Sequence, residues 1–164
     1  MRIVIGSDHA GFPLKGAIIT HLTSRNHEVQ DVGSYDPAPV DFPDIAAALT
    51  GAILRGTAER GIMVCGTGVG AAIAANKVAG IRAALLHDAH SAHQAVEHDD
   101  VNVMCLGAQI VGPWLAFDLI DTFLAARFST EPEFRRRVAK LHAMDKARAS
   151  ARMEALPYVQ DGSP

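Results

Sequence analysis

Between residue 2 and about residue 126 the chain repeats one pattern: a short apolar run, then a longer run with apolar residues at helical spacing. RIVIG (2–6) is β-branched and ends at glycine, and residues 12 to 25 carry Phe12, Leu14, Ile18, Ile19 and Leu22 along one stripe. Strand-like HEVQDVG (27–33) follows, then a loop rich in Pro and Asp (SYDPAPVDFPD, 34–44) that leads into a helix over about 43–56. GIMVC (61–65) precedes the helix GVGAAIAANK (68–77), and IRAALL (81–86) precedes the helix HDAHSAHQAVEH (87–98). VNVMCLG (101–107) and a helix over about 112–126 close the series. Short apolar runs bounded by glycine and polar residues read as strands, and the longer periodic runs as helices.

When a helix follows every strand, neighbouring strands join by crossovers rather than hairpins, so they run parallel with helices on both faces. Right-handed crossovers then give an α/β fold, a Rossmann-like doubly wound five-stranded parallel sheet. Ligands in such folds bind beyond the carboxyl ends of the strands. That rim holds Ser7, Asp8 and His9, then Cys65 with its glycines, then His87 and Asp88, and the stretch from Gly107 onward.

The tail breaks the pattern. Ser129 or Thr130 can cap a helix with Pro132 in its first turn. Phe134, Val138, Leu141 and Met144 lie along one side of it, and Arg135, Arg136 and Arg137 near its start. Having no strand of its own to cover, it reads as an arm packed on the sandwich or on a second subunit. The expectation is one domain of 164 residues: a sandwich over about 1–128, a C-terminal helix over about 129–155, and a mobile end over about 156–164.

A formal charge of -3 removes the electrostatic case for a nucleic-acid partner. No apolar run approaches the roughly 20 residues of a membrane span, and MRIVIGSDHAG turns polar too early for a signal-peptide core. Cys65 and Cys105 lack CxxC spacing and make no disulfide framework. A cytoplasmic setting is the simplest reading.

The stretch GIMVCGTGVGAAIAANK (61–77) sets a cysteine directly before alternating glycines. Gly66-x-Gly68-x-x-Ala71 fits a dinucleotide fingerprint, with Asp88 about 20 residues on as its ribose acid. That fingerprint normally sits in the first βαβ unit, whereas two units precede it here. A tyrosine-phosphatase loop needs an arginine where Ala71 stands, and a receiver domain needs an aspartate in place of Cys65. A buried cysteine with glycines for a tight turn is the plain packing alternative. The remaining reading uses both features. A helix N-terminus just after Cys65 lowers the thiol's pKa, and bare N–H groups hold an anionic oxygen. A base beside an oxyanion cradle removes a proton alpha to a carbonyl and holds the enediolate.

Over residues 1 to about 145 the sequence resembles the B-type ribose-5-phosphate isomerases and the related galactose-6-phosphate isomerases. The resemblance rests on SDHAGFPLK (7–15), VDFPDIA (40–46), CGTGVGAAIAANKVAGIRAAL (65–85), HDDVNVMCLGAQIVG (98–112) and RRV (136–138). It implies cofactor-free, metal-free aldose–ketose isomerisation through an enediolate, of ribose 5-phosphate and ribulose 5-phosphate or a closely related sugar or sugar phosphate, with a different or non-phosphorylated sugar as the alternative. It also implies a dimer, often paired into a tetramer, with sites at the subunit interface. By the resemblance Cys65 moves the proton between C1 and C2. Thr67 and the N–H groups of Gly66, Gly68, Val69 and Gly70 hold the enediolate, and His98 helps open the ring. Asp8 and His9 bind substrate, with Asp99 and Gln109 also at substrate-binding positions, and Arg137 reaches the phosphate. Read without the family, His98 is a solvated residue at a helix end. A catalytically silent member serving as an assembly subunit is a further alternative, against which stand Cys65 and His98.

Three positions depart from the family pattern. Asp99 stands for an asparagine, Gln109 for an arginine, and Glu133 for an arginine four residues before Arg137. Phe42 also replaces a common tyrosine. Each of the first three makes a phosphate pocket less cationic, and one charge-assisted bond is worth about 1.5–3 kcal/mol. The expectation is weak use of ribose 5-phosphate. His87, His90 and His93 lie three apart with Asp88 beside them, but three-residue steps drift around a helix and converge poorly on a metal.

Overall fold

The computed structural model describes residues 1–155, with side chains through residue 147; the end expected to be mobile, from about 156, lies outside the described residues. Strands β1 (Arg2–Ser7), β2 (Glu28–Asp31), β3 (Arg60–Cys65), β4 (Ala83–Leu85) and β5 (Val103–Gly107) form one all-parallel sheet in the order β2-β1-β3-β5-β4. Helices α1 (Phe12–Ser24), α2 (Phe42–Leu54), α3 (Val69–Ala75) and α4 (Ala89–Asp99) connect them, and α5 (Pro113–Ala125) and α6 (Pro132–Ala155) follow β5. Among the described residues no helix is long and apolar enough to cross a membrane.

Both faces of the sheet are buried, so the central strands carry apolar residues on both sides rather than alternating. Ile3, Ile5, Ile62, Val64, Met104 and Leu106 face α1, α4 and α5 through Leu14, Ile18, Val96, Leu119 and Phe123. Val4, Met63, Cys65, Val103 and Cys105 face the other way, onto the small residues Ala46, Ala52, Ala71 and Ala75 of α2 and α3. Cys65 therefore projects toward the α2–α3 side, at the last position of β3.

The strand order reverses between β1 and β3: the chain leaves β1 for β2 on one side, then returns past β1 to β3 on the other. A crevice opens at such a switch point. Asp8 follows β1 and Cys65 ends β3, so the two residues flank that crevice from adjacent strands.

The first half of α6 docks on its own sandwich. Val138 is buried, the Gly80 N–H donates to Asp145 Oδ2 at 2.9 Å, and the Arg82 guanidinium meets His142 Nε2 at 2.9 Å. The expected apolar stripe of this helix is only half used, since Leu141 and Met144 stay exposed.

Candidate active site

Two loops converge at the switch point. The β1–α1 turn passes so close to β3 that a Cβ on Gly11 would lie 2.2 Å from the Val64 carbonyl oxygen, so only glycine fits there. This approach lets the Gly11 N–H donate to Asp8 Oδ1 at 2.8 Å and leaves Asp8 Oδ2 facing Cys65. The Cys65 thiol donates to that oxygen at 2.9 Å. Asp8 is buried, with both carboxylate oxygens engaged. Its nearest business is therefore the thiol.

Gly68, at φ 80°, turns the chain from β3 into α3, and a Cβ there would lie 2.5 Å from Leu85 Cδ1. The turn aims the Gly68 and Gly66 N–H groups at the Cys65 sulfur, and both lower its pKa. The expected net lowering does not follow. Burial pushes the thiol up most, and the hydrogen bond to Asp8 and that carboxylate's charge push it further. At rest Cys65 is a thiol whose proton points at a carboxylate.

The strand β5 end locks onto the same loop. Ala108 N–H donates to the Cys65 carbonyl at 2.8 Å and Gln109 N–H to the Gly66 carbonyl at 3.0 Å. The Gln109 side chain lies over Gly66, where a Cβ would come within 3.2 Å of Oε1, and the Phe42 ring lies over Gly70 at 2.9 Å from such an atom. Thr67 is exposed, and its hydroxyl accepts the Val69 N–H at 3.4 Å. His9 is exposed too, its Nδ1 accepting the Val40 N–H at 3.3 Å. Asp8, His9, Cys65, Gly66 through Gly70 and Gln109 thus share one rim.

The other expected site residues stand elsewhere. Helix α4 begins at the rim after β4 and runs about 16 Å back across the sheet at 1.5 Å per residue. Its last turn carries His98 and Asp99 to the edge where Arg82 Nε donates to the Asp100 carbonyl and Asn102 accepts from the Arg82 N–H. His98 stacks on Phe134 of α6, with ring centroids 4.1 Å apart and planes 12° from parallel, and the Arg137 guanidinium lies 5.4 Å from the same ring. Asp99 lines a neighbouring cavity of about 370 Å³ with Asn76, Arg82, Leu141 and Met144. Within one chain His98, Asp99 and Arg137 form a second cluster, at the opposite edge from Cys65.

The remaining histidines diverge. His87 Nε2 accepts the Gly107 N–H at 3.0 Å, His93 pairs with Glu97 at 3.0 Å, and His90 is exposed. Asp88, the acid that a dinucleotide fingerprint needs on the ribose, instead caps α4 by accepting the Ser91 N–H at 2.7 Å.

Two residues that the sequence reading did not single out support these groups, one at the rim and one at the second cluster. Lys15 is buried, with Nζ 2.8 Å from both Asp31 oxygens and hydrogen-bonded to the Ser34 carbonyl. The Gly33–Ser34 segment that it holds exchanges hydrogen bonds with Ser7, the residue before Asp8. A lysine on the apolar stripe of α1 is the signal that could have found it. Phe134 is the other, hidden among ordinary core candidates.

Thiol ionisation gives a direct test. Replacing Asp8 with Asn removes the negative charge that opposes a thiolate, so the Cys65 pKa is expected to fall. The pH profile of iodoacetamide alkylation should move to lower pH; Cys105, buried and pushed up to about 12, does not compete. A profile that moves upward or stays put would remove Asp8 from the control of this thiol.

Comparison with known proteins agrees with the residues. A family model described as ribose/galactose isomerase matches residues 3–141. Ribose-5-P isomerase B of Listeria innocua is 44% identical over 129 residues, covering 79% of this chain and 87% of that protein. D-erythrulose-4-phosphate isomerase of Pectobacterium atrosepticum is 44% identical over 131 residues, covering 78% and 85%. The structure of Clostridium thermocellum ribose-5-phosphate isomerase B superposes with a TM-score of 0.88 at 42% identity, covering 90% of this chain and 99% of that one.

Proposed function

The chain belongs to the ribose/galactose isomerase family and is an aldose–ketose isomerase, and we propose that it acts on a small sugar phosphate with Cys65 as the carbon base. One arrangement carries this reading: a thiol 2.9 Å from a buried carboxylate, bordered by the N–H groups of Gly66 and Gly68.

The chemistry follows from that arrangement. Cys65 hands its proton to Asp8 Oδ2, and the thiolate takes the proton from C2 of the open-chain aldose. The C–H electron pair becomes the C1–C2 double bond, and negative charge moves onto O1. The N–H groups of Gly66, Gly68, Val69 and Gly70 with the Thr67 hydroxyl hold that charge. Sγ returns the proton to C1, the proton on O2 passes to O1, and the ketose remains. His98 opens the ring beforehand; His9 and Arg137 hold the phosphate.

His98, Asp99 and Arg137 serve a Cys65 that is not their own, so the working unit is a dimer or a pair of dimers. Exposed Val69, Ile73, Leu85, Leu141 and Met144 are the apolar surface such an assembly would cover. A cytoplasmic setting suits a base that must stay a reduced thiol.

Substrate choice is the finer part of the proposal. Gln109 over the glycine loop, Glu133 on the first turn of α6 and Asp99 beside His98 leave fewer cations for a phosphate. Weak turnover of ribose 5-phosphate is expected, with better use of another sugar, and the similarity to an erythrulose-4-phosphate isomerase supports a shorter sugar phosphate. Profiling aldoses and ketoses with and without phosphate tests this. Introducing Gln109→Arg with Glu133→Arg should lower the KM for ribose 5-phosphate about tenfold or more, the worth of one charge-assisted bond, and leave a neutral sugar unchanged. A wild-type KM for ribose 5-phosphate below about 1 mM, unmoved by the arginines, would overturn the specificity reading.

A further inference from the structure

We propose that Phe134 is a positioning residue, one ring that sets His98 and Arg137 as a unit before substrate arrives. This rests on the assignment of those two residues to the site.

The geometry argues for a shared platform. His98 sits on the last turn of α4, half-buried, with its imidazole 31% exposed. Its carboxylate neighbour, Glu97, lies 3.7 Å away and is already engaged at 3.0 Å by His93. The imidazole stacks on the Phe134 face, with ring centroids 4.1 Å apart and planes 12° from parallel. Arg137 is exposed and three residues further along α6, with its guanidinium 5.4 Å from the same ring centroid. Offset ring stacking and cation–π contact both have a preferred geometry, which ordinary apolar packing lacks. A long cation and an imidazole that are ordered in advance lose less freedom when substrate binds. Both groups meet the same ring of one chain, so they reach a neighbouring Cys65 as a preassembled pair.

The anchoring of α6 does not depend on the ring. Ser129 N–H donates to the Glu97 carbonyl at 2.9 Å, Val138 is buried, and His142 and Asp145 tie the next turns to Arg82 and Gly80. Phe134→Leu should therefore keep the helix docked while removing the platform.

The experiment compares full-length Phe134→Leu and Phe134→Tyr. The leucine variant should lose about tenfold or more in kcat/KM for a sugar phosphate, with melting temperature and oligomer size unchanged, and tyrosine should restore activity to within about twofold. Substrate-free NMR reads the ordering independently of activity: the upfield ring-current shift of the His98 Cε1 proton should vanish in the leucine variant and persist in tyrosine. A leucine variant as active as wild type, a tyrosine variant that fails to rescue, or a ring-current shift that survives in the leucine variant overturns the proposal. If no sugar phosphate is turned over by the wild type, the functional reading fails, while the NMR comparison still decides whether the ring orders His98.

Discussion

Cys65→Ala should lower isomerisation by about 10²–10⁴-fold, the usual contribution of a positioned proton-transfer group, while the fold stays intact. The backbone at this position is held without the sulfur. Cys65 is the last β3 residue, paired with Gly107, and its carbonyl accepts the Ala108 N–H at 2.8 Å. Deleting one buried sulfur costs about 1 kcal/mol, well within the margin of an ordinary domain. Removing the thiol also leaves Asp8 anchored through Gly11. Exchange of the substrate's C2 proton with solvent should disappear together with turnover, since one group performs both. Deuterium incorporation followed by NMR checks this. Exchange persisting at the wild-type rate in the alanine variant would sink the thiolate-base reading, whatever happened to turnover.

The second large effect is a recovery. Chains carrying Cys65→Ala and chains carrying His98→Ala should each be inactive alone, and mixed oligomers of the two should regain about a quarter of wild-type activity. The number follows from two-fold symmetry: half the dimers are mixed, and each mixed dimer has one site with both residues intact. Arg137→Ala should complement in the same way, because Arg137 shares the Phe134 ring with His98. The physical basis is the direction of α4, which begins at the Cys65 rim and ends at the far edge of the sheet. A single chain cannot turn that helix around. Verified mixed oligomers that stay inactive would put His98 and Arg137 outside any site containing Cys65.

Much of this protein was legible in the chain itself. Five apolar runs alternating with helical stripes required a parallel sheet covered on both faces, because a helix between every two strands leaves no hairpin to form. Element ends shifted by only a few residues, as with β2 at Glu28–Asp31 against an expected 27–33. The glycine loop was also readable, since closely spaced glycines after an apolar run have few other uses. Local chemistry of this kind is written in neighbouring residues.

What neighbouring residues could not supply was the pairing of distant ones. The order β2-β1-β3-β5-β4, with β5 inserted beside β3, brings Gln109 onto Gly66 and Asp8 onto Cys65. The thiol's pKa direction turned on this. Spacing along the chain reveals the helix N-terminus that favours a thiolate, but not the burial and the carboxylate 57 positions away that outweigh it. The separation of His98 from Cys65 likewise belongs to the crossover geometry. The sequence by itself determined the layers and the glycine turn after β3, because periodicity and glycine act over a few residues. The tertiary structure alone decided which charges meet the thiol and which edge carries His98, because electrostatics and helix direction depend on distance in space.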